Sequence, residues 1–156
     1  MPSDRKQNGL LDSVNVRLLD ELQRDARLTL AELGRRVGLS APAVAERLQR
    51  LEDGGVLRGY HADVNPRAVG YSLSAVLRIR PAPRELRKVA ELARKTPEVV
   101  ECHRVTGDDC YLMKMHVRDV DHLEEVIDRF AIFGQTTTSI IQSSPVSARE
   151  ISLERD

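Results

Sequence analysis

Aromatic side chains are scarce: three Tyr, two Phe and no Trp make up 3% of the 156 residues. Leu, Val, Ile and Ala therefore have to build the core. No apolar run approaches the ~20 residues of a membrane-spanning helix. Residues 1–9 are polar and lack the apolar stretch of a secretory signal, so a cytoplasmic location is expected, with no membrane partner. Cys102 and Cys110 are too few for a disulfide framework and read as free thiols in a reducing compartment. Net charge is also missing. The chain carries 24 Lys and Arg against 24 Asp and Glu, and residues 1–65 carry ten of each. A diffuse basic field, the general means of unspecific nucleic-acid binding, is thereby excluded. There is no Gly-x-Gly-x-x-Gly, phosphate loop or Gly-x-Ser-x-Gly elbow, and His61, His103, His116 and His122 are not spaced as metal ligands. No enzyme activity, cofactor or metal is expected.

What the sequence does carry is concentrated in residues 29–53, TLAELGRRVGLSAPAVAERLQRLED. Thr29 and Glu32 have capping-box spacing, so a helix is predicted from Leu30, with Leu30, Leu33 and Val37 on one face. Gly38 ends it, since only Gly takes the left-handed exit conformation without steric cost. Ser40 can cap a second helix, with Pro42 in its first turn, where a missing N–H costs nothing. Val44, Leu48 and Leu51 form the second apolar face, and Gly54-Gly55 end that helix. Two short helices joined by Gly-Leu-Ser, with converging apolar faces, predict a helix-turn-helix. The outward side of the second helix carries Pro42, Ala43, Glu46, Gln49 and Arg50, with Arg47 on its flank. A helix of this width fits the DNA major groove and brings its first turns to base edges. Arg47 and Arg50 suit guanine or phosphate, Ser40 and the helix N-terminus suit a phosphate oxygen, and Arg35 and Arg36 add local charge. An ordinary αα-hairpin with solvated arginines has the same pattern.

Val14, Leu18, Leu19 and Leu22 predict an amphipathic helix before the pair, and Val56–Val64 predicts a β-hairpin or wing after it. Residues 1–10 read as a flexible tail, 11–64 as the helix-turn-helix domain and 65–72 as a linker punctuated by Pro66 and Gly70. Residues 73–150 then read strand, helix, strand, strand, helix, strand. A first strand over Leu73–Ile79 ends at Pro81, and a helix runs from about Arg84 to Lys95. Strands follow over Val99–Thr106 and Cys110–Val117, then a helix capped by Asp121, then a strand over Thr136–Ser143. That order is a ferredoxin-like βαββαβ domain, and the chain as a whole is α+β. Tyr111, Met113, Met115 and Val117 fall on one strand face and Leu112 on the other. Apolar groups on both faces of a sheet predict a partner, most simply a second copy of the chain, with Met113 or Met115 at the contact. In the turn Gly107-Asp108-Asp109-Cys110, exposed backbone N–H groups and two carboxylates can hold an α-amino acid, although a plain turn has the same composition. Cys102 and Cys110 do not fall opposite one another across this hairpin, so no disulfide is expected between them.

The pieces LQRDAR, ELGRRVGLS, RLQRLEDGGVLRGY and NPRAVG, in that order and spacing, resemble the N-terminal half of the leucine-responsive/asparagine-regulator (Lrp/AsnC) family, and the likeness continues from about Leu11 to Glu150. The resemblance implies a sequence-specific transcription regulator that binds double-stranded DNA through a winged helix-turn-helix. It implies an effector domain that senses a small molecule, such as an amino acid, and pairs through its sheet into homodimers that assemble further into tetramers or octamers. It also implies an effector site that combines Gly107, Asp108, Asp109 and Cys110 with groups near the last strand, here Thr136, Thr137 and Thr138. Many relatives have Gly-Asp-x-Asp where this chain has Cys110, which leaves the identity of the ligand open. The competing class is a ferredoxin-like enzyme or metabolite-binding module with a helical N-terminal domain.

Overall fold

The computed structural model describes residues 10–153; the expected tail falls largely outside them. The chain forms two compact units. The first comprises the chain up to Asp63 together with the segment from Val146, and the second spans Val64–Pro145.

The first unit is built on three helices, α1 (Ser13–Arg24), α2 (Leu30–Val37) and α3 (Ala41–Asp53). Each start is fixed by a side-chain cap. Asp12 accepts from the Asn15 N–H at 2.8 Å, Thr29 and Glu32 form the reciprocal capping box, and Ser40 accepts from the Ala43 N–H at 3.4 Å. The predicted apolar stripes meet: Leu18, Leu33, Val44 and Leu51 are buried to 1% exposure or less, with Leu19, Leu22, Val37 and Leu48 around them. Burying each such side chain is worth about 1.5–3 kcal/mol. Two glycines set the α2–α3 turn. Gly38 has φ +78°, and the Gly34 carbonyl accepts from both Gly38 N–H (2.8 Å) and Leu39 N–H (2.9 Å). A Cβ on Gly34 would lie 2.4 Å from the Leu39 carbonyl oxygen, so the turn packs backbone to backbone.

The expected hairpin or wing over Val56–Val64 is not formed. The Val56 and Leu57 N–H groups both donate to the Leu51 carbonyl, so these residues close α3 and tuck against its core. From Gly59 the chain is exposed and unpaired, anchored by the Tyr60 hydroxyl donating to Glu52 at 2.9 Å. No partner strand remains within this stretch. The segment from Val146, assigned by sequence to the second domain as far as residue 150, instead packs in the first unit. The Gln23 amide exchanges two hydrogen bonds with the Ile151 backbone (3.1 and 2.8 Å), and Leu153 lies against the helical core.

The second unit opens with a 3-10 turn, Pro66–Val69, capped by Asn65. Then follow β1 (Leu73–Pro81), α4 (Leu86–Lys95), β2 (Val99–Arg104), β3 (Tyr111–Val117), α5 (Val120–Ala131) and β4 (Gly134–Ile140). The sheet is antiparallel with order β2-β3-β1-β4, the ferredoxin-like βαββαβ arrangement. Several boundaries differ from expectation, among them the end of β2, at Arg104 and not Thr106. Asp119, not Asp121, caps α5 by accepting from the His122 N–H at 2.8 Å, and β4 begins two residues early and ends at Ile140.

The register corrects the expected interface. Tyr111, Met113, Met115 and Val117 lie opposite Ile79, Leu77, Ala75 and Leu73, all on the face that α4 and α5 cover. Met113 and Met115 are fully buried in that core with Val89, Val126 and Phe130, so neither side chain is available to a partner. The face without helices carries Ser74, Val76 and Arg78 beside Leu112, Lys114 and His116, of which only Val76 and Leu112 are apolar. As the hairpin spacing predicted, Cys102 lies opposite Met113 and both thiols are free.

One ion cluster ties the second unit together. Glu98, almost fully buried just before β2, receives the His122 Nε2–H at 2.8 Å and the Arg129 guanidinium at 3.1 Å. The Arg118 N–H donates to His122 Nδ1, which fixes the proton on Nε2. Burial pushes the Glu98 carboxyl up, but its own backbone N–H, His122 and Arg129 together outweigh this and bring it from 4.5 down to about 2. Its contribution is therefore complete above the ordinary carboxylate value and is lost as the pH falls from 4.5 towards 2, about 3 kcal/mol in all. Glu98→Gln should lower Tm at pH 7 and flatten the fall of Tm over that acid range, as followed by thermal melts at stepped pH. An unchanged acid slope would show that the cluster does not govern acid stability.

Candidate functional site

On α3 the solvent face is narrower than the sequence implied. Pro42, Glu46, Gln49 and Arg50 are exposed, Ala43 is half-buried, and Ser40 sits at the cap. Arg47 turns away from this face. Its Nη1 donates to Asp12 at 2.6 Å and to Asn15 Oδ1 at 2.9 Å, and the Asn15 amide in turn donates to the Leu10 carbonyl at 2.8 Å. Asn15 is only 5% exposed, and the Arg47 hydrogen bond is the chief reason that Asp12 titrates below the usual carboxylate value. Arg47 thus clamps α3 onto the N-terminus of α1. Nothing in the sequence spacing links residues 12, 15 and 47, so only the fold brings them together.

Two of the other arginines expected at this surface carry acidic partners too. Arg36 pairs with Glu21 at 2.5 Å and Arg50 with Glu46 one helical turn before it. Gln49 donates to Asp53 at 2.9 Å. Arg35 makes no ion pair among the described residues. Exposed pairs of this kind contribute little to stability and exchange readily for other charges. The helix-turn-helix therefore presents a cap that suits an oxygen ligand and a polar outward face held in charge balance.

In the second unit the turn after β2 is closed by the Val105 N–H donating to the Cys110 carbonyl at 3.0 Å, with Gly107 at φ +107°. The Cys110 N–H donates to the Ile79 carbonyl, and the Cys110 side chain packs towards the helix-covered core. Asp108 pairs with Arg80 at 2.9 Å, its carbonyl accepts from Arg80 Nε at 2.7 Å, and Asp109 lies 3.5 Å from Arg78. Thr136 and Thr138 lie opposite Ile79 and Leu77, on the helix side, whereas Thr137 lies opposite Arg78 on the open face. The structure thus gathers Gly107, Asp108 and Asp109 with Arg78, Arg80 and Thr137. It leaves Thr136, Thr138 and Cys110 on the other side of the sheet. Sequence reasoning passed over Arg78 and Arg80, although their alternation with Leu77 and Ile79 already directed them away from the core.

Among the described residues no group of three His, Cys, Asp or Glu side chains is placed to hold a metal ion. Among the same residues no helix is long and apolar enough to cross a membrane.

Comparison with known proteins gives this geometry a family. Residues 11–52 match the model of the AsnC-type helix-turn-helix domain, and residues 74–151 match that of the Lrp/AsnC ligand binding domain. YezC of Bacillus subtilis, described as an uncharacterised HTH-type transcriptional regulator, is 37% identical over 86% of this chain and 95% of its own length. The crystal structure of the leucine response regulatory protein LrpA of Mycobacterium tuberculosis superposes with TM-score 0.80 at 37% identity, covering 90% of this chain and 99% of that one. A transcriptional regulator of Neisseria meningitidis, solved as a complex with L-methionine, superposes with TM-score 0.83 at 30% identity, covering 92% and 97%. The chain belongs to the Lrp/AsnC family of helix-turn-helix transcriptional regulators.

Proposed function

We propose that this regulator binds double-stranded DNA through α3, in the cytoplasm, as a homodimer able to assemble into tetramers or octamers, and that an amino acid bound at the Gly107 turn modulates it. The observation that carries this reading is the exposed face of α3, capped by Ser40 and braced by Arg47. A braced helix with an open N-terminal half is what groove insertion requires, and two such helices related by a two-fold axis fit half-sites about one helical turn apart. The effector assignment draws on the L-methionine complex of the Neisseria relative and on the charges around the turn. Asp108 and Asp109 suit a ligand ammonium, while Arg78, Arg80 and Thr137 suit its carboxylate. Self-association draws on the sheet face that the helices leave uncovered, with Val76 and Leu112 at its centre.

Three measurements test the reading. In gel shifts on the DNA upstream of its own gene, Arg47→Ala should weaken binding to every sequence alike. It should also lower Tm, because Asn15 and Asp12 lose their partner, at a cost on the order of 1–3 kcal/mol. Arg50→Ala should weaken binding with Tm unchanged; equal Tm values in the two variants would remove the clamp role of Arg47. Calorimetry with L-methionine and the other amino acids should show a heat of binding that Gly107→Arg abolishes and that Arg78→Ala and Asp109→Ala reduce. Parent-like binding in all three variants would put the ligand elsewhere. By light scattering, Val76→Glu or Leu112→Glu should give folded monomers, since burying an unpaired charge at a contact costs several kcal/mol. Met113→Glu should unfold the second unit instead, and a monomeric parent at micromolar concentration would refute self-association.

A further inference from the structure

Within the first two turns of α3, residues 41–47, the structure leaves one polar side chain on the exposed face, in reach of a base edge. Ala41, Pro42, Ala43 and Ala45 have no hydrogen-bonding side chain, Val44 is in the core, and Arg47 is held by Asp12 and Asn15. What remains is Glu46, whose side chain is 65% exposed and pairs with Arg50 one turn further on, itself 65% exposed. A carboxylate is an unusual group to aim at a phosphate polymer, because it is repelled by the backbone on both sides of the groove.

We propose that Glu46 is a specificity-determining residue that selects cytosine in each half-site by accepting a hydrogen bond from the N4 amino group; this rests on the DNA-binding reading given above. The major-groove edge of a C·G pair presents one donor, cytosine N4, beside the acceptors O6 and N7 of guanine. The Glu46–Arg50 pair presents the complementary order, an acceptor beside a donor. Four residues of helix advance about 6 Å, under two base-pair steps of about 3.4 Å, so the paired side chains stay within one or two base pairs. Thymine O4 and guanine O6 would turn lone pairs towards the carboxylate, and adenine sets the acceptor N7 beside its N6 donor, so Glu46 disfavours these bases while favouring cytosine. The neighbouring Pro42 and Ala43 offer only apolar surface and match a thymine methyl group. The repulsion from phosphate is then the cost of discrimination at one position, and Glu46 lowers affinity for all other sequences.

The test is selection from a random duplex DNA pool by the full chain and its Glu46→Ala, Glu46→Gln and Arg50→Ala variants, with thermal melts alongside. The parent should enrich sites with a fixed cytosine in each half. Glu46→Ala should lose preference at that position alone, with cytosine-over-thymine discrimination falling about tenfold or more, while its binding to unrelated DNA holds or rises. Glu46→Gln should move the preference towards adenine, whose N6 and N7 match a carboxamide. If Glu46 only stabilises the helix, both variants will select the parent's site and differ in Tm alone, and the proposal is overturned. A parent that enriches no duplex sequence at all overturns the DNA-binding reading itself.

Discussion

The backbone contact between Gly34 and Leu39 is the constraint from which the first unit's geometry follows. With no side chain at position 34, the turn after α2 comes close enough for one carbonyl to accept two N–H groups, and the chain leaves at a fixed angle into α3. That angle decides which side of α3 is buried. Val44, Leu48 and Leu51 go inward, and Glu46, Gln49 and Arg50 have nowhere to go but outward. Any residue larger than Gly at position 34 would push α3 away from α2 by displacing backbone rather than a flexible side chain, so both the core and the outward face depend on it.

The arginines of this surface show how a chain with no net charge can still meet a polyanion. The charge is not in excess but held in exchangeable pairs, Arg36 with Glu21 and Arg50 with Glu46. In the free protein these pairs keep the surface electrostatically quiet, so approach to DNA is not driven by a long-range field. On the proposed mode of binding, discrimination is set at contact, where each carboxylate has either to find a donor or to be repelled. Arg47 is the exception in kind: its charge is spent on holding two helices together, which keeps α3 in place.

The second unit separates its two tasks by strand alternation. Odd-numbered residues of β1 and β3 fill the core under α4 and α5, while even-numbered residues face away. Arg78 and Arg80 therefore stand beside the Asp108-Asp109 turn, and the core can be fully apolar while a cluster of opposite charges sits on the opposite face. The cluster of buried Glu98 and His122 with the half-exposed Arg129 serves a different purpose. It closes the junction between the start of β2 and α5 with paired, hydrogen-bonded charges, where an unpaired carboxylate would be strongly disfavoured.

What the sequence by itself determined was local and periodic. Capping residues Thr29, Glu32 and Ser40, the stop at Gly38, the stripe Val44-Leu48-Leu51 and the alternation Ala75-Leu77-Ile79 act through neighbours within one turn or one strand step, so five helices, four strands and their order were legible. Tertiary structure alone decided the rest, because those features are contacts between residues far apart in the chain. Arg47 reads as exposed in a helical projection until Asp12 and Asn15 arrive from α1. Met113 and Met115 carry the same pattern whether they face a helix or a partner, and only the register against β1 puts them under α5 and α4. The segment Val56–Val64 has strand-like composition but no strand to pair with, since its first residues cap α3. Ile151 meets Gln23 across more than a hundred residues. Short-range rules fix what each element is; which side of it remains available for function depends on what the other elements cover.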